Sequence, residues 1–269
     1  MRIARFIDEQ DQVQLGEDLG DGTARLLEGS LFSGLRPTTE NRKIVRRLAP
    51  VKPVNVFCIG KNYSEHAKEM GSEAPELPIV FMKPTSALNH PDSPIPIPAA
   101  CTHGPEVDYE AELAVVIGKK ARNIAVSDAL SYVLGYTCAN DISARWWQKQ
   151  GSGGQWIRGK GFDGFCPLGP VLVTADEIAA PQALQVRFRL NGELLQDGNT
   201  KDMMFPVDYL IAELSRDMTL LPGTVILTGT PKGVGFARDP QVFLRPGDTI
   251  ETEVGGIGVL TNHIVEADG

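Results

Sequence analysis

The stretch "DYEAELAVVIG", Asp108 to Gly118, places acids at every second position and then runs into Val-Val-Ile. Read as a β-strand, it puts Asp108, Glu110, Glu112, Ala114 and Val116 on one face and Tyr109, Ala111, Leu113, Val115 and Ile117 on the other. The second face is core. The first face has two readings: a solvated acidic surface, or a covered face carrying carboxylates at its rim. Ala114 and Val116 continue it as an apolar face, which favours covering within a residue or two. Adjacent carboxylates in that setting repel and have raised pKa values unless a cation neutralises them.

Outward from this strand the chain reads as mostly β, of α+β type. The opening "MRIARFIDEQDQVQLGEDLGDGTARLLEG" has short alternating runs broken by Gly-Asp and Asp-Gly, the pattern of hairpins. Pro50 and Pro53 close it, so a small N-terminal domain over 1–52 and a main domain over 53–269 are expected. "VNVFCIG" reads as a buried strand leading into "KNYSEHAKEM", a short polar surface helix ended by Gly71. In "SDALSYVLGYTCAND", Ser127 is the expected N-cap of a helix that runs into a strand. The last third reads as hairpins, one around Asn191-Gly192, interrupted by a helix from about Pro206 to Met218.

Composition narrows the function classes. With 269 residues, 42% hydrophobic and 22% charged, the chain can bury a real core. A net charge of −8 argues against a broad basic surface for nucleic acid or anionic membrane. No stretch of 18 or more apolar residues occurs, and the N-terminus has no apolar leader. Cys58, Cys101, Cys138 and Cys166 form no C-x-x-C pair, which fits buried thiols in a reducing compartment. A cytoplasmic protein is the expectation. No strand-linked G-x-G-x-x-G marks a dinucleotide-dependent oxidoreductase, and "TGTPKGVG" lacks the G-K-[ST] of a phosphate loop.

A third oxygen ligand would make Glu110 and Glu112 a metal site. The candidate is Asp141 in "YTCANDISARWWQ", which also reads as a helix N-cap. An all-carboxylate set without Cys or His selects a hard cation such as Mg²⁺, or Mn²⁺, and leaves coordination positions open for water or substrate.

The segments "IGKNYSEHAKEM", "FMKP", "DYEAELAVVIGKKARNI", "GYTCANDISAR", "RGKGFDGFCPLGP", "LNGELLQDG" and "ILTGTPKGVG" together resemble the fumarylacetoacetate hydrolase family in order and approximate spacing. The resemblance runs from about Val54 to the C-terminus. It implies a main domain of rolled and stacked β-sheets, a homodimer and a divalent metal held by Glu110, Glu112 and Asp141. It further implies that His66 and Glu69, at i and i+3 on one helical face, form a general-base dyad on a mobile lid. Lys160 becomes a cation that stabilises developing negative charge. Arg145 and Gln148 become contacts to the ligand set and substrate, Thr230 a contact to a substrate carboxylate, and Lys83 a further pocket residue.

The chemistry implied is cleavage of a carbon–carbon bond in a 1,3-diketo acid, an acylpyruvate or fumarylpyruvate-like substrate, by a metal-dependent hydrolase. Decarboxylation of oxaloacetate, or isomerisation and decarboxylation of an unsaturated 2-oxo diacid, is the alternative because the same site chemistry serves both. A binding protein that retains the fold without catalysis is a further alternative, against which stands the presence of every ligand and dyad residue. Two departures bear on substrate identity: Trp146 stands where the family commonly has Asp, and Gly161 where it has a hydroxyl residue.

Overall fold

The computed structural model describes residues 1–71 and 73–267. Among them, strands form a twelve-stranded sheet, a five-stranded sheet and a two-stranded ribbon. The mostly β architecture follows from the alternating and β-branched runs of the sequence.

The strand Ala111–Ile117 lies inside the large sheet, flanked by Val133–Asn140 and Thr224–Leu227. Both of its faces are buried. Leu113, Val115 and Ile117 share a core with Val186, Phe188, Ile250, Val254 and Leu260 of the five-stranded sheet, so this face is where the two sheets stack. Ala114 and Val116 belong to a second core of smaller side chains, including Cys58, Ala139, Cys166, Val225 and Leu227, contributed by other strands of the large sheet. Of the two readings of the acidic face, the covered one is the structure's.

The predicted single strand is interrupted. Val107–Asp108 pairs with Ser143–Ala144, and the ladder resumes only at Ala111. At the break, Tyr109 stacks on Phe188 with centroids 3.9 Å apart.

The N-terminal strands Arg2–Ile7, Val13–Asp18, Thr23–Ser30 and Gly34–Lys43 pair successively as hairpins. Arg2–Ile7 also pairs with Cys166–Thr174, so the large sheet continues from the first fifty residues into the rest of the chain. The Gln185–Leu190 and Glu193–Asn199 hairpin turns through Asn191 at φ 52° and Gly192 at φ 85°, the two left-handed residues that a type I′ turn requires. The expected late helix spans Val207–Leu214 with Pro206 as N-cap. The helix expected after Ser127 is instead a 3-10 segment, Val126–Tyr132, capped at Ala125. Val126 and Leu130 are exposed there, so that turn lacks the buried apolar stripe that would sustain an α-helix.

Strand order brings the site together. Antiparallel pairing opposes Ala111 to Asn140 and Glu112 to Ala139, so the start of one strand meets the end of its neighbour. On the other side, Thr224–Leu227 runs antiparallel to Ala111–Ile117 and parallel to Asn55–Gly60, so both deliver their C-terminal ends to the same edge. Asn62 ties these ends. Fully buried, it donates to the carbonyls of Phe205 (3.0 Å) and Thr228 (2.7 Å) and accepts from Phe205 N–H (2.8 Å). Asn62→Ala is expected to cost about 3 kcal/mol, because it strands three backbone groups, the buried Thr228 carbonyl and the part-buried carbonyl and N–H of Phe205. A lowered urea midpoint at constant m-value is the readout.

Candidate active site

Glu110, Glu112 and Asp141 each offer an oxygen within 4.8 Å of the others, and all three are buried. Their geometry is set by the backbone. Asp141 N–H donates to the Glu110 carbonyl at 2.8 Å, and Glu110 N–H donates to Asn140 Oδ1 at 2.9 Å.

Cations surround two of the three. Lys160 Nζ lies 2.8 Å from both Glu110 Oε2 and Asp141 Oδ2, and Arg145 Nη1 lies 2.8 Å from Glu110 Oε1. Burial works to raise the pKa of Glu110, but Lys160, Arg145 and His66 outweigh it and hold the carboxyl at about 2. The same pairing raises the Lys160 pKa: burial opposes the ammonium, and Asp141 and Glu110 overcome it.

Glu112 is different. Its Oε2 accepts from Gly229 N–H at 2.6 Å, and no cation lies within ion-pair distance among the described residues. Burial, then the charges of Asp141 and Glu110, push its pKa well above the usual carboxylate range. A buried carboxylate left without a cation, beside two further carboxylates within 4.8 Å, is what an all-oxygen site for a hard divalent cation presents. The trio could hold such a metal.

Asp108, grouped by its spacing with Glu110 and Glu112, does not join them. It takes Arg145 Nε and Nη2 at 2.8 and 2.7 Å and accepts from the N–H groups of Tyr109, Gly235 and Phe236, so it positions Arg145. Gln148 Oε1 accepts from the same guanidinium at 2.9 Å. Lys83 also departs from expectation. Its ammonium is 2.7 Å from Asp141 Oδ1 and donates to the carbonyls of Ile142, Lys160 and Phe165, and it is not among the residues lining the cavity. It holds Asp141 from outside the cavity lining.

The cavity, about 300 Å³, is lined by Glu110, Arg145, Gln148, Lys160, Thr230 and His66 together with apolar and lysine side chains. Thr230 donates to the Ala111 carbonyl at 2.9 Å and accepts from Gln196 Nε2 at 2.8 Å. Gln196, Asn140 and Asn62 are supporting residues with no sequence signal beyond being polar in apolar surroundings. Gly229, at φ 96°, is required: a Cβ there would stand 2.7 Å from Asn62 Cβ.

The helix Ser64–Glu69 covers the cavity, with Gly71 at φ 68° beyond its end. Expected as a surface helix, it buries His66 and Ala67, and Tyr63 at its N-cap is buried as well. His66 Nδ1 is 2.7 Å from Glu69 Oε1, and Gly233 N–H donates to both Glu69 oxygens at 3.1 and 2.9 Å. Of the two departures, Trp146 stacks on His103 with centroids 3.5 Å apart. At Gly161 a Cβ would meet Pro84 Cδ at 2.7 Å, so no hydroxyl residue fits without a shift.

The sequence profile of the fumarylacetoacetate (FAA) hydrolase C-terminal domain matches residues 55–265. A mitochondrial oxaloacetate tautomerase of Xenopus laevis is 48% identical over 226 residues, 84% of this chain and 70% of that protein. Its counterpart from Homo sapiens is 48% identical over 225 residues, 83% of this chain and 71% of that protein. The crystal structure of 5-carboxymethyl-2-hydroxymuconate delta-isomerase from Mycobacterium smegmatis superposes with a TM-score of 0.86 at 38% identity, covering 99% of this chain and all of that one (100%).

The mitochondrial relatives overturn the cytoplasmic expectation. An address is carried by a segment separate from the folded domain, so the composition of that domain does not report the compartment. No helix among the described residues is long and apolar enough to cross a membrane. The matched profile, the relatives and the superposed structure agree on one conclusion: this chain belongs to the fumarylacetoacetate hydrolase family.

Proposed function

We propose that this chain is an isomerase of 2-oxo diacids that interconverts the keto and enol forms of oxaloacetate or a close analogue. The observation that carries the reading is the buried His66, paired with the half-buried Glu69 and facing the same cavity as Glu110, Lys160 and Arg145. The tautomerase relatives and the isomerase neighbour support it over hydrolysis of a 1,3-diketo acid, which needs a positioned nucleophilic water as well.

Tautomerisation moves one proton from the carbon beside the 2-oxo group to its oxygen. Glu69, held by Gly233, fixes the imidazole through Nδ1, which leaves Nε2 to take up the carbon-bound proton and return it to oxygen. His66 ends the cycle in its starting protonation state. Lys160 and Arg145 place positive charge beside the substrate oxygen on which negative charge develops. Glu110, Glu112 and Asp141 would hold Mg²⁺ or Mn²⁺, which when bound polarises the 2-oxo group as a Lewis acid.

Mixing crystalline enol oxaloacetate with protein and Mg²⁺ should relax the enol absorbance faster than Mg²⁺ alone. Relaxation at the background rate, with rapid cleavage of acylpyruvates, would replace this reading with the hydrolytic one.

A further inference from the structure

The inner end of the cavity is electrically paired: Glu110 faces Lys160 and Arg145, and behind them Asp141 pairs with Lys160 and Lys83. Two more lysines, Lys61 and Lys149, line the same cavity, and neither has a carboxylate within ion-pair distance among the described residues. Lys61 is half-buried and Lys149 exposed, whereas Glu110, Arg145 and Lys160 are buried. The two unpaired cations therefore stand at the mouth.

Both are held in place. Lys61 adopts φ 57°, a left-handed conformation that a lysine occupies only when its surroundings impose it, and the anchored Asn62 follows directly. Lys149 Nζ sits 3.5 Å from the centroid of the Phe236 ring, and Phe236 is itself tied through its N–H to Asp108. Burial, then the charges of Arg145 and Lys61, lower the Lys149 pKa, with Asp108 opposing; an arriving anion would relieve that crowding.

Part of the cavity wall is apolar. The Phe81 ring lies 5.2 Å from Lys160 Nζ and packs edge-on against Trp156, with centroids 5.3 Å apart. Trp156 in turn covers Gly60, where a Cβ would fall 2.4 Å from the indole. Ile59 and Met70 complete this surface. The lining thus combines a charge-paired end, an apolar surface and two lysines without carboxylate partners, which together suit a 2-oxo acid head, a hydrocarbon spacer and a second carboxylate.

We propose that Lys61 and Lys149 recognise the distal carboxylate of the substrate, so that the site selects dicarboxylic over monocarboxylic 2-oxo acids. The inference rests on the cavity being the 2-oxo acid site, as proposed above, and assigns its specificity to two residues outside the ligand trio and the dyad.

Calorimetric titration of the Mg²⁺-loaded protein with 2-oxoglutarate and 2-oxopentanoate tests it, because the two acids share a head and chain length and differ in the second carboxylate. The wild-type protein should prefer 2-oxoglutarate by roughly 25-fold, about 5-fold for each partly exposed ion pair. Lys149→Ala and Lys61→Asn, the latter chosen because Asn tolerates the left-handed backbone, should each remove about 5-fold of that preference. The double variant should bind both acids alike, with 2-oxopentanoate affinity unchanged throughout. A wild-type protein without preference, or variants that lose both acids equally, would overturn the assignment. If the preference and its loss appear while oxaloacetate relaxes at its background rate, the tautomerase reading alone fails.

Discussion

Asp141→Asn should abolish Mg²⁺ binding and destabilise the metal-free protein by about 3 kcal/mol, whereas Glu112→Gln should abolish Mg²⁺ binding and leave the metal-free protein at least as stable as wild type. The two acids lie in one cluster but in opposite electrostatic situations. Asp141 stands between two buried ammonium groups, Lys83 at 2.7 Å and Lys160 at 2.8 Å, and neutralising it leaves positive charge buried without its partner. Glu112 has the Gly229 N–H and two negative neighbours. Its charge is a cost that burial imposes, and an amide of the same shape removes the cost while keeping an oxygen for Gly229. Urea unfolding in chelator, paired with Mg²⁺ titration, separates the two effects. If both variants moved stability in the same direction, the division of the trio into a cation-paired and an uncompensated acid would be wrong.

His66→Ala should reduce oxaloacetate tautomerisation by roughly 10²-fold or more, the usual scale for a lost acid–base group, with Mg²⁺ affinity unchanged. Tautomerisation is a proton transfer, and in the proposed mechanism His66 carries the proton through Nε2 while its Nδ1 lies 2.7 Å from Glu69. Decarboxylation of bound oxaloacetate requires charge stabilisation and no proton relay to carbon in its bond-breaking step, so it should fall much less in the same variant. Glu69→Gln should fall between wild type and His66→Ala, because Gly233 still has an acceptor while the imidazole loses its carboxylate. Measuring both reactions on each variant decides the matter. Equal losses in the two reactions for His66→Ala would mean that the dyad organises the site instead of moving a proton.

Much of this molecule is legible before folding. Alternation in "ELAVVI" shows a strand with a core face, Asn191-Gly192 shows its hairpin, and Gly71 shows where the Ser64–Glu69 helix must stop. These are local consequences of side-chain period and of which residues tolerate left-handed backbone. The proximity of Glu110 and Glu112 follows from their spacing, and the joint order of motifs from Val54 onward is specific enough to indicate the family. What the residues alone left open was whether Asp141 starts a helix or joins the acids.

Tertiary structure decided the rest. Asp108 and Glu110 are two positions apart, yet the break in the ladder at Tyr109 sends one to Arg145 and leaves the other at the trio. Lys83 and Lys160 are both lysines near glycine or proline in the sequence, but one is enclosed by three carbonyls and Asp141 while the other lines the cavity. Lys61 and Lys149 gain their meaning only from facing one cavity with no carboxylate in ion-pair distance among the described residues. The physical reason is common to all of these. Spacing along a strand or helix fixes which way neighbouring side chains point, whereas charge pairing and burial depend on what other strands bring within a few ångströms, and the pairing of Ala111–Ile117 with residues 133–140 and 224–227 is set by the whole sheet.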